Sequence, residues 1–235
     1  MMQPSMHEFS GPWALAGALA TTVADDLRAG IQARGGASLV VSGGTTPRRF
    51  MQELSRQVLA WERVTITLAD ERWVPPDHPR SNERLVRENL LSGNAGAAVF
   101  VSLYANNAAT AEDALDTIAA RIDALALPFD GVLLGMGADG HCASLFPHGD
   151  RLQAALQPHA AARVSTMRAA DAQEPRITLT LSALVQTRAL YLHIEGVQKK
   201  QVLEAALAGT PPFEQAPIAA VLSHAATTPQ VFYCP

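Results

Sequence analysis

Between Phe129 and Pro147 the chain reads FDGVLLGMGADGHCASLFP, and this stretch limits the folds open to it more than any other. An apolar strand, Gly131 to Leu134, runs straight into a turn with glycines at 135, 137 and 140. Asp139 and His141 stand two residues apart in that turn, and the apolar segment Ala143 to Pro147 closes it. A continuous apolar strand feeding a glycine-rich turn fits a parallel sheet covered on both faces, whose carboxyl edge receives the ligand. Histidine changes charge near neutral pH, so His141 is a candidate general base.

A second glycine turn, Ser42-Gly-Gly-Thr-Thr-Pro47, follows another strand candidate, Ala37 to Val41. Gly43 and Gly44 lack Cβ atoms, so backbone N–H groups can approach an oxyanion closely. Thr45 or Thr46 is expected to cap the next helix, with Pro47 at its first position. The helix start then adds oriented N–H groups and a positive dipole end, which favour phosphate. A plain βα turn that binds nothing is the alternative reading of the same residues. Neither a Walker A loop nor a GxGxxG fingerprint is present.

The rest of the chain alternates in the same way. Strands are expected at Val64–Leu68, Arg163–Thr166, Ile177–Leu181, Ala189–Ile194, Ile218–Leu222 and Gln230–Tyr233. Helices are expected from Pro47 to about Ala60, over Asn82–Leu91, Ala111–Leu125 and Val197–Leu207. This alternation predicts an α/β fold: a mainly parallel, twisted sheet with helices on both faces, Rossmann-like in its three layers. No repeat or linker divides the chain. Residues 1–235 therefore read as a single α/β domain, with room for a small appended lobe near the middle or in the C-terminal third.

Composition narrows the partners. A net charge of −4 with no polybasic tract gives no reason to expect nucleic acid. The apolar run from Pro12 to Val23 follows Glu8 rather than a basic segment and is too short to span a bilayer, so no membrane association and a cytoplasmic location are expected. The two cysteines, Cys142 and Cys234, have no CxxC spacing, and the seven histidines form no HExxH pattern. No metal and no disulfide framework are expected.

Three further groups of residues stand at expected strand ends or helix starts. Asp70, Glu71 and Arg72 follow Val64–Leu68; Arg72 can hold oxyanions through its planar fork, and Asp70 can accept from hydroxyls or orient a cation. Taken alone, such a tripeptide reads as a surface charge network. Arg176 opens a strand and Lys199 a helix, and either could complete a phosphate pocket, although each alone reads as a solvated charge. Ser144 has no GxSxG elbow around it and reads as structural. Cys142 reads as a small packing residue and Trp73 as loop packing.

Taken together, SGGTTP (42–47), LADERWVPPDHPRSNERL (68–85), GMGADGHCASLFP (135–147), RITLTL (176–181) and GVQK (196–199) resemble one family, the DevB-type 6-phosphogluconolactonases. These are related in fold to glucosamine-6-phosphate deaminases and ribose-5-phosphate isomerases. Cys142 stands where that family commonly has threonine, and Ala138 where an acidic residue is frequent. The resemblance implies hydrolysis of 6-phospho-D-glucono-1,5-lactone to 6-phosphogluconate, with neither metal nor organic cofactor. It implies His141 as general base, with Asp70 and Arg72 beside it. Gly43, Gly44, Thr45, Arg72, Asp139, Arg176 and Lys199 become contacts to a small sugar-phosphate substrate. A monomer and a small homo-oligomer both remain open. Two rivals share the turn and the DGH element. One is a glucosamine-6-phosphate deaminase-like isomerase, whose histidine motif resembles DGHIAFNEP and which lacks the arginine. The other is a non-catalytic sugar-phosphate sensor.

Overall fold

The computed structural model describes residues 3–170 and 172–235. In chain order the elements are β1 (Ser5–Glu8), α1 (Pro12–Arg34), β2 (Ala37–Val41), α2 (Arg48–Ser55), β3 (Val64–Leu68), β4 (Asp70–Arg72), α3 (Asn82–Asn89), β5 (Val99–Val101), α4 (Ala111–Asp123) and β6 (Gly131–Gly135). Then follow α5 (Leu152–Ala155), β7 (Val164–Met167), β8 (Arg176–Leu179), α6 (Leu181–Leu184), β9 (Leu190–Glu195), α7 (Val197–Ala208), α8 (Pro217–His224) and β10 (Gln230–Cys234).

Among the described residues, seven strands form one sheet in the order β1-β10-β9-β6-β2-β3-β5, and every neighbouring pair is parallel. Successive side chains of a strand point to opposite faces. In β6 the residues Gly131 to Leu134 are all buried, and in β9 so are Leu190 to Ile194. Both faces of the sheet are therefore covered at its centre, and these strands read as nearly continuous apolar runs for that reason.

Local chemistry sets the covering helices. α1 starts at Pro12, where a missing N–H costs nothing, and buries Leu15, Leu19, Val23 and Leu27 on one 3.6-residue stripe. Its far end is tied to the sheet by Asp130, which accepts from the Arg34 guanidinium and from the Ser38 N–H at 2.8 Å. α4 begins in a reciprocal capping box between Thr110 and Asp113. No helix among the described residues is long and apolar enough to cross a membrane.

The structure departs from the sequence expectations in definite places. Ile218–Leu222 is helix, part of α8, rather than strand. Pro217 opens it, and Ile218, Val221 and Leu222 bury one helical face, a pattern that a five-residue apolar run cannot distinguish from a strand. α2 stops at Ser55 instead of reaching Ala60. The amides of Arg56 and Gln57 bond to carbonyls three residues back, and the Gln57 carbonyl accepts from the Trp61 indole. The strands near 163–166 and 177–181 do not enter the parallel sheet. As β7 and β8 they join β4 in a separate antiparallel sheet, ordered β4-β8-β7.

Candidate active site

β2 lies where the connections diverge. The chain leaves it for β3 and β5 on one side and later returns through β6 to β9 and β10 on the other. In open α/β sheets this divergence leaves a crevice at the carboxyl ends of the strands. Here the crevice receives the Ser42–Pro47 turn from β2 and the Met136–Pro147 loop from β6. The Ser42 N–H donates across the boundary to the Leu133 carbonyl at 3.1 Å. β3 runs on through Ala69 into β4, which carries Asp70, Glu71 and Arg72 into the small sheet. The first turn of α7 supplies Lys199.

A cavity of about 380 Å³ occupies this place. Gly43, Gly44, Thr45, Asp70, Arg72, His141, Arg176 and Lys199 all line it. Of the residues that the resemblance assigns to the site, Asp139 alone is not on the wall; it stands behind His141. Its Oδ1 lies 2.6 Å from His141 Nδ1 and accepts from the His141 N–H at 3.1 Å. An ionised carboxylate only accepts, so Nδ1 carries the ring proton and the Nε2 lone pair is left for chemistry. Burial raises the Asp139 carboxyl, but the hydrogen bonds from His141 and its positive charge when protonated outweigh this and hold the group below its ordinary value.

The loop is shaped around that ring. A Cβ on Gly137 would lie 2.2 Å from His141 Cε1 and 2.3 Å from Nδ1, so only glycine leaves the imidazole its place. Ala143, also on the wall, has a left-handed backbone with φ 49°, a strain of the kind that collects at functional sites. The Phe146 ring lies 4.8 Å from His141, and the Arg176 guanidinium sits 5.6 Å from the Phe146 centroid.

Two buried carboxylates brace the wall. Asp70 accepts from the Ser144 hydroxyl at 2.5 Å, so Ser144, fully buried, fastens the histidine loop to β4. Glu71 accepts from the N–H groups of Arg72, Asn82 and Glu83 at 2.7, 2.8 and 2.7 Å and from the Ser81 hydroxyl at 3.0 Å. Burial pushes the Glu71 carboxyl up to about 7 against the pull of these four bonds. The tripeptide is thus an interior brace, not the surface charge network that its composition alone suggests.

The cations are less comfortable. Arg72 and Arg176 face each other in the β4–β8 register, and like charges directly opposite each other destabilise a strand pair. Asp70 offsets this in part, 3.9 Å from Arg176 Nη1. Burial lowers the pKa of Arg176, and Asp70 counters it while Arg72 adds to it. Lys199, half-buried, is likewise lowered by burial and supported by Glu195. Three cations and one buried carboxylate on a single wall give a field suited to an anion.

One expectation about the turn fails. Neither Thr45 nor Thr46 caps α2; Pro47 itself stands at the N-cap, one position earlier than expected, and no side chain caps the helix. The expected φ freedom is used at Gly44, with φ 96°. Asn82, 1% exposed and on the cavity wall, was not singled out in the sequence. No spacing rule links it to Gly43, whose missing Cβ would lie 1.9 Å from Asn82 Oδ1.

Residues 11–230 match the family described as glucosamine-6-phosphate isomerases/6-phosphogluconolactonase. The chain belongs to that family. A curated relative from Rhizobium meliloti (strain 1021), named 6-phosphogluconolactonase, is 50% identical over 234 residues, the full length of both chains. Another of that name, from Mesorhizobium japonicum, is 46% identical over 94% of this chain and 91% of its own. A crystal structure of a 6-phosphogluconolactonase from Shewanella baltica OS155 superimposes with a TM-score of 0.94 at 42% identity, covering both chains fully.

Substituting Gly137 by alanine is expected to displace the imidazole while leaving the sheet intact. Activity should fall by about 100-fold, as for other small misplacements of a reacting group, with an unchanged urea-unfolding midpoint. Wild-type activity in Gly137→Ala would show that the ring need not stand where it does.

Proposed function

We propose that this chain hydrolyses 6-phospho-D-glucono-1,5-lactone to 6-phospho-D-gluconate, within the pentose phosphate pathway and in the cytoplasm. The observation that carries the reading is the placing of His141, backed by Asp139, on the same cavity wall as Arg72, Arg176 and Lys199. An ester carbonyl needs an activated water and a proton for its leaving oxygen. Nε2 of His141 takes a proton from water as the water oxygen attacks C1. The tetrahedral intermediate then collapses, the bond from C1 to the ring oxygen breaks, and the imidazolium returns the proton to that oxygen. One water is consumed, and the product is an open-chain hydroxy acid. No metal or organic cofactor is required by this sequence of steps. Among the described residues no three His, Cys, Asp or Glu side chains are grouped to hold a metal.

The phosphate lies far from C1, so it serves as a handle that fixes register. The guanidinium of Arg72, with its Nε unpartnered, together with Arg176, Lys199 and the Gly43–Gly44–Thr45 backbone, meets the phosphate and the sugar oxygens. Freshly prepared lactone and, separately, glucosamine 6-phosphate test the reading. Hydrolysis of the first well above its spontaneous rate, with no ammonia released from the second, is expected; the reverse pattern would favour the isomerase-deaminase.

The handle makes a second expectation. Arg72→Ala and Lys199→Ala should each lower kcat/KM on the phosphorylated lactone by ten-fold or more, since a charge-assisted hydrogen bond contributes roughly 1.5–3 kcal/mol. The loss on gluconolactone without phosphate should be clearly smaller in each variant. Equal losses on both lactones would remove these cations from the phosphate site.

The base makes a third. His141→Ala should lose on the order of 10²–10⁴-fold in rate. Asp139→Asn should lose a comparable amount, because an amide donating to Nδ1 leaves the proton on Nε2. The double variant should then be no worse than His141→Ala alone, as expected for residues acting as a unit. Independent, multiplying losses would contradict the pairing.

A further inference from the structure

A buried polar atom without a partner loses its hydration and recovers nothing, so such atoms are rare and ask for an explanation. Among the described residues, Ser42 Oγ, Arg72 Nε and Asn82 Oδ1 are in this position, and all three residues line the same cavity. Arg72 Nε is a donor and suits the oxyanion assigned above. The Ser42 hydroxyl can donate or accept, whereas Asn82 Oδ1 needs a partner that donates.

Asn82 is 1% exposed and Ser42 5%. The carboxamide of Asn82 is oriented by its own hydrogen bond, Nδ2 donating to the Asp70 carbonyl at 2.8 Å. The oxygen, Oδ1, is the end left over. The carboxamide packs against Gly43, and both residues line the cavity beside the Ser42–Pro47 turn. A carboxamide oxygen can only accept. A phosphate dianion, a lactone carbonyl and a carboxylate can also only accept, so none of them satisfies it. On a phosphorylated aldonolactone the groups that donate are the ring hydroxyls.

We propose that Asn82, with Ser42 beside it, is a specificity-determining residue that reads a ring hydroxyl of the sugar. The assignment rests on the lactonase reading. It adds a reason for the cavity to prefer one hydroxyl pattern, which the cations and the histidine do not provide. A site built to bond a hydroxyl rejects the analogue that lacks it, because its own polar groups are then left unpaired.

The test compares kcat/KM for the parent lactone with those for its 2-deoxy, 3-deoxy and 4-deoxy analogues, in wild type and in Asn82→Ala. Wild type is expected to favour the parent over one of the three by about ten-fold or more. In Asn82→Ala that preference should shrink to about two-fold, with the other two ratios unchanged. Each ratio is taken within one preparation, so the fraction of folded protein cancels and a purely structural role cannot move it. Ser42→Ala, which deletes an oxygen that makes no hydrogen bond, should keep the fold and reduce the same ratio. Wild type without preference at any position would overturn the proposal. So would equal losses on all four substrates, which would assign Asn82 to the attacking water or to the scaffold. A wild-type protein inactive on the parent lactone would strike down the lactonase reading itself, and this contact with it.

Discussion

A parallel strand pair cannot be closed by a tight turn, so each connection in this sheet must travel over a face before the next strand begins. The consequence appears at β2, which pairs with β3 on one side and β6 on the other. Connections leaving and arriving there diverge, which leaves a crevice between the two strand ends. The Ser42–Pro47 turn and the His141 loop, far apart in sequence, become neighbours because of this. The antiparallel trio β4-β8-β7 then closes the crevice from outside, and the buried Asp70–Ser144 bond of 2.5 Å fastens that closure.

The crevice holds charges against the grain of folding. Arg72 opposite Arg176 is an unfavourable pair of like charges, and the half-buried Lys199 adds to the same sign. Asp70 and Glu71 answer part of this: one lies near Arg176, and the other clamps the start of α3 so that Asn82 stays on the wall. An anion that binds the folded form relieves the remainder and stabilises the protein by mass action. Site and scaffold are thus made from the same three residues of β4, which explains why Asp70 is almost wholly buried although it lies on the cavity wall.

Much of this was legible in the chain. β2, β6, β9 and β10 are nearly continuous apolar runs because both faces of the sheet are covered, and β3 alternates apolar residues with β-branched threonine; both patterns announce strands. The glycines beside His141 and at Gly43–Gly44 marked the two turns of the crevice. What escaped the sequence depends on distant pairing. β4 is three charged residues whose strand character comes only from β8, more than a hundred positions later. Glu71 bonds to amides eleven and twelve residues on, where no local spacing rule reaches. Ile218–Leu222 is too short for its period to decide between helix and strand, and Pro217 with a one-sided buried face settles it. Asn82 was invisible because its significance is an oxygen left without a partner.

The account's centre is that one crevice holds the reacting carbon at His141 and the phosphate at the cations. A crystal structure with the product 6-phosphogluconate bound tests this most directly. The C1 carboxylate should lie within hydrogen-bond distance, roughly 2.7–3.2 Å, of His141 Nε2. The phosphate should be held by the Ser42–Pro47 turn and by at least one of Arg72, Arg176 and Lys199. A phosphate lodged against His141, or product bound in another cleft, would contradict the account.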